Sequence, residues 1–289
     1  MPSWDEPGIK ATLRLTVDVP ADRMAVANMP VASTETLPDG MKRVHFATTP
    51  KMSTYLYFLA IGDFDRISTK SDGTEVGVVV NRGDAEKARV ALAEASRLLH
   101  YYNDYFGVPF PLPKPDLIVA PGAITGGSME NWGAIFYSQD ELLFDPARST
   151  EADRQLVFEV VSHEMAHQWF GDLVTMAWWD DLWLNEGFAR WMQTKAADAM
   201  HPEWEMGLQA LAIAERGKQA DAKPSTHPIL RCGRVHHRAA GQHSWAGALA
   251  SGAAAAERGY RGRRGPLDRS GSSAAQRAGS VVLDAQTWD

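Results

Sequence analysis

The chain has 289 residues, 45% of them apolar and 22% charged, a globular composition that excludes a fibrous repeat or wholesale disorder. The formal charge of −7 argues against nucleic acid as the main partner, and no stretch approaches the roughly 20 apolar residues of a membrane span. The single cysteine, Cys232, excludes an internal disulfide framework. The N-terminus has neither the basic start nor the apolar core of a signal peptide, so a cytoplasmic location is expected on the condition that Met1 is the true start.

In chain order, Ala11–Val19 alternates apolar and polar residues as a half-buried strand does. Arg43–Ala47 and Tyr55–Ile61 read as further strands, separated by the turn signals Pro38-Asp39-Gly40 and Thr49-Pro50. Residues 1–66 therefore read as part of a β-rich domain. From residue 67 the pattern is mixed. Val76–Val80 reads as a strand, Asp84–Phe106 as a helix, Asp116–Ala120 as a short apolar strand and Asn131–Tyr137 as another. A long helix is expected over Thr150–Phe170, with Ser149 or Thr150 as N-cap and Gly171 as stop, and a second over Leu182–Met200.

Composition changes abruptly near residue 230. Arg231–Asp289 holds nine Arg, no Lys and four acids, with 13 Ala, nine Gly and no Ile, Phe, Met or Asn. Such a segment has little to bury against its ordering entropy. The tail reads as disordered or as an out-of-frame translation of GC-rich DNA.

The long helix carries the chemistry. His163-Glu164-Met165-Ala166-His167 is an H-E-x-x-H motif. Positions i and i+4 lie roughly 40° apart around a helix, so both imidazoles reach one metal ion. Zinc accepts neutral imidazole nitrogen in a tetrahedral site with one position left open. Glu164 lies beside that face, placed to take a proton from water. Eighteen residues intervene between His167 and Glu186, which falls early on the second predicted helix. A helix–loop–helix return brings it back as the third zinc ligand, whereas the plainer reading is a carboxylate favoured by the helix dipole. Asp172, Asp180 and Asp181 could orient the histidines or serve as solvated and capping acids. The aromatic residues Trp169, Phe170, Trp178, Trp179, Trp183 and Trp191 read as core, and Tyr137 as packing.

These stretches resemble the gluzincin aminopeptidases of the aminopeptidase N and puromycin-sensitive kind. The resemblance rests on Trp4-Asp5-Glu6-Pro7, Thr49–Tyr55, Gly127-Ser128-Met129-Glu130-Asn131-Trp132-Gly133, His163–Gly171 and Trp183–Ala189, in the family's order and spacing. It covers about residues 1–230. It implies an α+β fold: a thermolysin-like catalytic lobe over 67–230, preceded by the remnant of a β-rich N-terminal domain over 1–66. It implies one zinc ion held by His163, His167 and Glu186, with Glu164 as general base and then acid. Gly127, Ser128, Met129, Glu130 and Asn131 would form an edge strand pairing with peptide backbone, and Glu130 would bind the free α-ammonium of a peptide substrate.

The resemblance also implies parts that this sequence lacks. Family members are several times longer. They carry a second amine-binding Glu ahead of the Trp4-Asp5-Glu6-Pro7 position, and an oxyanion-stabilising Tyr some sixty residues beyond the distal zinc Glu. The tail stands in the place of that tyrosine, and Tyr260 is flanked unlike it. Loss of one oxyanion donor typically costs about 100- to 1000-fold in rate. The expected function is zinc-dependent removal of N-terminal residues from peptides, weak or absent in this chain alone. A non-catalytic zinc-binding fragment, or an epoxide hydrolase of the same superfamily, are the alternatives.

Overall fold

A computed structural model describes residues 3–120 and 127–224, and the backbone of a strand at Val281–Ala285. The first part of the chain is built from β1 (Lys10–Ala11), β2 (Leu13–Pro20), β3 (Met24–Ala27), β4 (Val31–Thr36), β5 (Met41–Phe46), β6 (Met52–Ser53) and β7 (Leu59–Gly62). The expected alternation is present in β2, where Leu13, Leu15, Val17 and Val19 are buried and the intervening residues face outward. Leu15, Val17 and Val19 pack with Ala25, Ala27, Val44 and Phe46 into a small core, while Leu13 joins the large one. β5 lies between β2 and β4, antiparallel to both. Val281–Ala285, termed β12 below, pairs in parallel with β2, Val281 opposite Leu13. The remaining expectations for the tail after residue 230 lie outside the described residues.

Tyr55–Ile61 is not one strand. Thr54–Leu56 is a 3-10 turn, and only Leu59–Gly62 pairs, with β3. The physical reason is that amide side chains claim the backbone there. Asn28 donates to the Leu56 carbonyl (2.9 Å) and accepts from the Phe58 N–H (2.9 Å), while Asn131 donates to the Leu56 and Tyr57 carbonyls. A ladder has no free groups to use.

The N-terminal residues strap this region to the second half of the molecule. Lys10 pairs opposite Ser53, Ser53 donates to the Pro7 carbonyl and Thr54 to the Trp4 carbonyl. Across the strap, the Lys10 ammonium donates to the Asp172 carbonyl at 2.9 Å, and the Gly8 backbone lies against the Ala177 carbonyl.

The second half holds β8 (Phe64–Ser71), β9 (Thr74–Asn81), β10 (Asp116–Ala120) and β11 (Ala134–Ser138) in one sheet of order β11-β10-β9-β8. β8 pairs antiparallel with β9, and β9, β10 and β11 run parallel. Helices follow: α1 (Arg89–Phe106), α2 (Gln139–Leu142), α3 (Glu151–His167), α4 (Leu182–Met200) and α5 (Met206–Asp221). The large core lies between the sheet and α1, α3 and α4. Tyr102 and Tyr137 are fully buried in it, so Tyr137 packs as expected. With a β-rich first part and a helix-covered sheet behind it, the fold is α+β. Among the described residues no helix is long and apolar enough to cross a membrane.

Helix α3 starts where its sequence says it should. The Thr150 hydroxyl accepts from the Asp153 N–H, and the Asp153 carboxylate accepts from the Thr150 N–H, a reciprocal cap that satisfies two otherwise unpaired donors. The helix ends at His167, three residues short of the expected last residue, Phe170. Gly171 then turns the chain at φ +132°, a conformation open to glycine and strained for other residues.

Candidate metal centre and substrate cleft

His163 and His167 lie one turn apart at the end of α3, and Glu186 lies in the second turn of α4. The two helices pack against each other, which closes the gap of eighteen residues. His163 Nε2 lies 3.1 Å from His167 Nε2 and 3.2 Å from Glu186 Oε2, and His167 Nε2 lies 3.6 Å from the same oxygen. A tetrahedral ion with bonds of about 2.0–2.2 Å has edges of about 3.3–3.6 Å. The three donor atoms thus form one face of such a tetrahedron, and the residues fit a zinc ion. They are also the one His, Cys, Asp or Glu group with metal-binding geometry among the described residues.

The tautomer of His167 follows from its surroundings. Its Nδ1 lies 3.1 Å from the Phe170 carbonyl and 2.9 Å from Asn185 Oδ1. A backbone carbonyl only accepts, so Nδ1 carries a proton and Nε2 is the atom turned to the metal position. Asn185 is held with its oxygen toward His167, and its Nδ2 donates to Glu130 Oε1 at 3.1 Å.

The electrostatics suit a cation. Burial alone would lower the His167 pKa, yet the charges of Glu186, Glu130 and Glu164 hold it well above the ordinary imidazole range. His163 is lowered, first by burial. Burial pushes the Glu164 carboxyl well above the carboxylate range, with Glu130 and Glu186 adding to the shift. For Glu186 burial works upward, but the adjoining His167 and His163 hold it below that range. Several carboxylates around two imidazoles leave an excess of negative charge that a divalent ion would neutralise.

The segment Gly127–Asn131 lies beside this centre, but it is not an extended edge strand. It pairs with β11 at a single antiparallel bridge, Met129 with Phe136, both of whose hydrogen bonds measure 2.9 Å. Each residue has a separate tie. Gly127 turns the chain at positive φ, and Ser128 donates to Glu141 (2.9 Å). Glu130 is buried against Asn185, and Asn131 reaches the Leu56 and Tyr57 carbonyls. The structure thus gathers His163, His167, Glu186 and Glu130 into one neighbourhood, with Glu164 among them electrostatically, while Ser128 turns to Glu141.

Gln168, Asn185 and Tyr55 belong to the site although sequence reasoning assigned them no role. Gln168 is fully buried. Its Oε1 accepts from the Gly133 N–H (2.9 Å), and its Nε2 donates to the Glu130 carbonyl (3.0 Å) and to Asp172 (3.1 Å). Tyr55 comes from the β-rich part. Burial and then the charges of Glu130, Asp172 and Glu186 push its hydroxyl far above the phenol range. The available signal was adjacency: Gln168 follows one candidate ligand and Asn185 precedes another. Asp172 is a buried carboxyl bonded to Gln168, and among the described residues no hydrogen bond joins that carboxyl to an imidazole. Asp180 and Asp181 lie in the short turn before α4, where Asp181 occupies the cap position without a side-chain cap bond. Of the aromatic run, Trp169 is buried core while Trp178 is 43% exposed.

Comparison with known proteins agrees with this geometry. The peptidase family M1 domain matches residues 90–247, and the peptidase M1 N-terminal domain matches residues 1–56. Aminopeptidase N of Acetobacter pasteurianus is 53% identical over 193 residues, covering 66% of this chain and 54% of that protein. Aminopeptidase M1-A of Oryza sativa subsp. japonica is 45% identical over 229 residues, and human endoplasmic reticulum aminopeptidase 1 is 41% identical over 230. Each of these alignments covers 79% of this chain, against 26% of the rice protein and 24% of the human one. The chain thus spans about half the length of the bacterial relative and about a quarter of the plant and human ones. With the M1 domain matched over more than half of its residues, the chain belongs to peptidase family M1.

Proposed function

We propose that the chain carries the metal centre and amine anchor of a zinc aminopeptidase, which hydrolyses the N-terminal residue from peptides. The carrying observation is the triangle of His163, His167 and Glu186 donor atoms, tied through Asn185 to the buried carboxylate of Glu130. The names of the relatives support the same reading. His163, His167 and Glu186 would hold one zinc ion. Bound there, zinc would polarise the scissile carbonyl and acidify water.

The chain's own residues do the rest. Glu130 pairs with the α-ammonium of the substrate and so fixes where the peptide begins. That restricts cleavage to the first peptide bond. Gly127–Asn131 would line the path of the peptide beside the metal centre. Glu164 takes a proton from the attacking water and returns it to the leaving amine. Tyr55 walls the cleft beside Glu130.

The test uses the purified 289-residue chain, zinc analysis by mass spectrometry and aminoacyl-chromophore hydrolysis. One zinc per chain is expected, lost in His163→Ala and kept in Glu164→Gln. Turnover is expected to be stopped by chelator and reduced about 100- to 10,000-fold in Glu164→Gln. One equivalent of zinc with no turnover in the parent chain would move the reading to a non-catalytic metal-binding protein. Hydrolysis of a lipid epoxide without peptide cleavage would move it to an epoxide hydrolase.

A further inference from the structure

Two of the residues that adjoin metal-ligand positions in sequence hold Glu130. Gln168, next after His167, takes the Glu130 backbone carbonyl through Nε2 and the neighbouring Gly133 N–H through Oε1. Asn185, next before Glu186, takes the Glu130 carboxylate through Nδ2 and faces the Nδ1–H of His167 through Oδ1. Both amides are buried, and each uses its donor end and its acceptor end at once. Buried amides so satisfied cannot rotate without stranding a polar group. The approach is close on the open side too. A Cβ on Gly171 would collide with Asn185 Oδ1, so glycine there leaves the amide its place.

We infer that Gln168 and Asn185 are positioning residues that lock Glu130, backbone and side chain respectively, to the helices bearing the metal ligands. They thereby fix the spacing between amine anchor and metal centre that sets cleavage at one residue. The inference rests on the reading of Glu130 as the amine anchor. In Asn185 one amide serves two masters: its oxygen orients a ligand, and its nitrogen orients the anchor. The two roles are separable by chemistry. Asn185→Asp keeps an acceptor for His167 and loses the donor to Glu130, whereas Asn185→Ala loses both. Gln168→Glu keeps the acceptor for Gly133 and loses the donor to Glu130.

The experiment measures binding by the zinc-loaded chain, so it does not depend on turnover. Leucine hydroxamate and its des-amino analogue are titrated by calorimetry, and their affinity ratio reports amine recognition. Zinc affinity is measured separately by chelator competition. Asn185→Asp and Gln168→Glu are expected to lower the affinity ratio about 10-fold or more while zinc affinity stays within about twofold of the parent. Asn185→Ala is expected to lower the ratio and also to weaken zinc about 10- to 100-fold. A parent chain that binds both hydroxamates equally refutes the anchor reading itself. A parent that discriminates, with Asn185→Asp and Gln168→Glu discriminating equally well, overturns the positioning roles alone. Loss of zinc binding in Asn185→Asp equal to that in Asn185→Ala would overturn the separation of the two roles.

Discussion

Lys114 is 6% exposed, yet it carries an ammonium. Burial lowers its pKa, while Asp116 opposes that shift. Its Nζ donates to the Ala27 carbonyl (2.7 Å) and the Gly133 carbonyl (2.9 Å) and lies 2.9 Å from Asp116 Oδ2. The other Asp116 oxygen is 2.8 Å from Arg66. One side chain therefore joins the β-rich part, the turn after the Glu130 segment and the central sheet. Lys114→Met removes a buried charge, takes the donor from the Ala27 carbonyl and leaves the Asp116 carboxylate to Arg66 alone. It should cost roughly 3 kcal/mol, read as a lower denaturant midpoint with an unchanged slope. Gly77 belongs to the same arrangement, since a Cβ there would meet Asp116 and Arg66. Nothing in the sequence announced this cluster. Its members are scattered from Ala27 to Gly133, and only the fold brings them together. The H-E-x-x-H pair is the opposite case, legible because helical geometry alone places i and i+4 on one face. Asn185 and Gln168 were illegible for a third reason: a buried amide has no characteristic spacing, only partners.

Among the elements, α3 was legible at its start and α4 from end to end, because a cap and apolar spacing mark them locally. The strands that sequence reasoning passed over lack such marks. β4 is exposed throughout its length and shows no buried face, and β8 is an edge strand with charged and hydroxyl residues. Likewise α5 buries little beyond Met206 and Gly217. The cap of α3 invites a test. Thr150→Ala should destabilise the chain by about 1 kcal/mol, seen as a lower thermal midpoint. The reciprocal carboxylate adds a pH dependence. Backbone and side-chain bonds from Thr150 hold Asp153 below the usual aspartate range. A depressed folded pKa means that its contribution is complete above the unfolded value of about 3.9. It is lost as pH falls through the folded value. The difference in stability between the parent and Asp153→Asn should therefore shrink on acidification below about pH 4, measured by urea titration across pH.

At the scale of the molecule, the candidate centre draws on both halves. Tyr55, Asn28 and Lys10 come from the β-rich part, and the candidate ligands come from α3 and α4. Removing the cation would leave Glu130, Glu164 and Glu186 close together around two imidazoles, with repulsion no longer offset. Chelation should then speed amide exchange in residues 127–133 and 182–187 while β9 and β10 keep their protection, a pattern that hydrogen exchange resolves by segment. Uniform acceleration across the sheet would instead mean that the metal holds up the whole fold.

The strap formed by residues 4–10 has a consequence for that same centre. His167 and Glu186 are separated by eighteen residues, and bringing the ends of such a flexible loop together costs roughly 2–3 kcal/mol of chain entropy. Lys10 grips this connection at the Asp172 carbonyl, and Gly8 meets it again at Ala177. Part of the closure is thus made before any ion arrives, by residues that donate nothing to it. Affinity for an ion bound there would in this sense be distributed along the chain. Deleting the strap, or prising it away with a bulky fusion at the N-terminus, would weaken metal capture while every ligand stayed in the sequence.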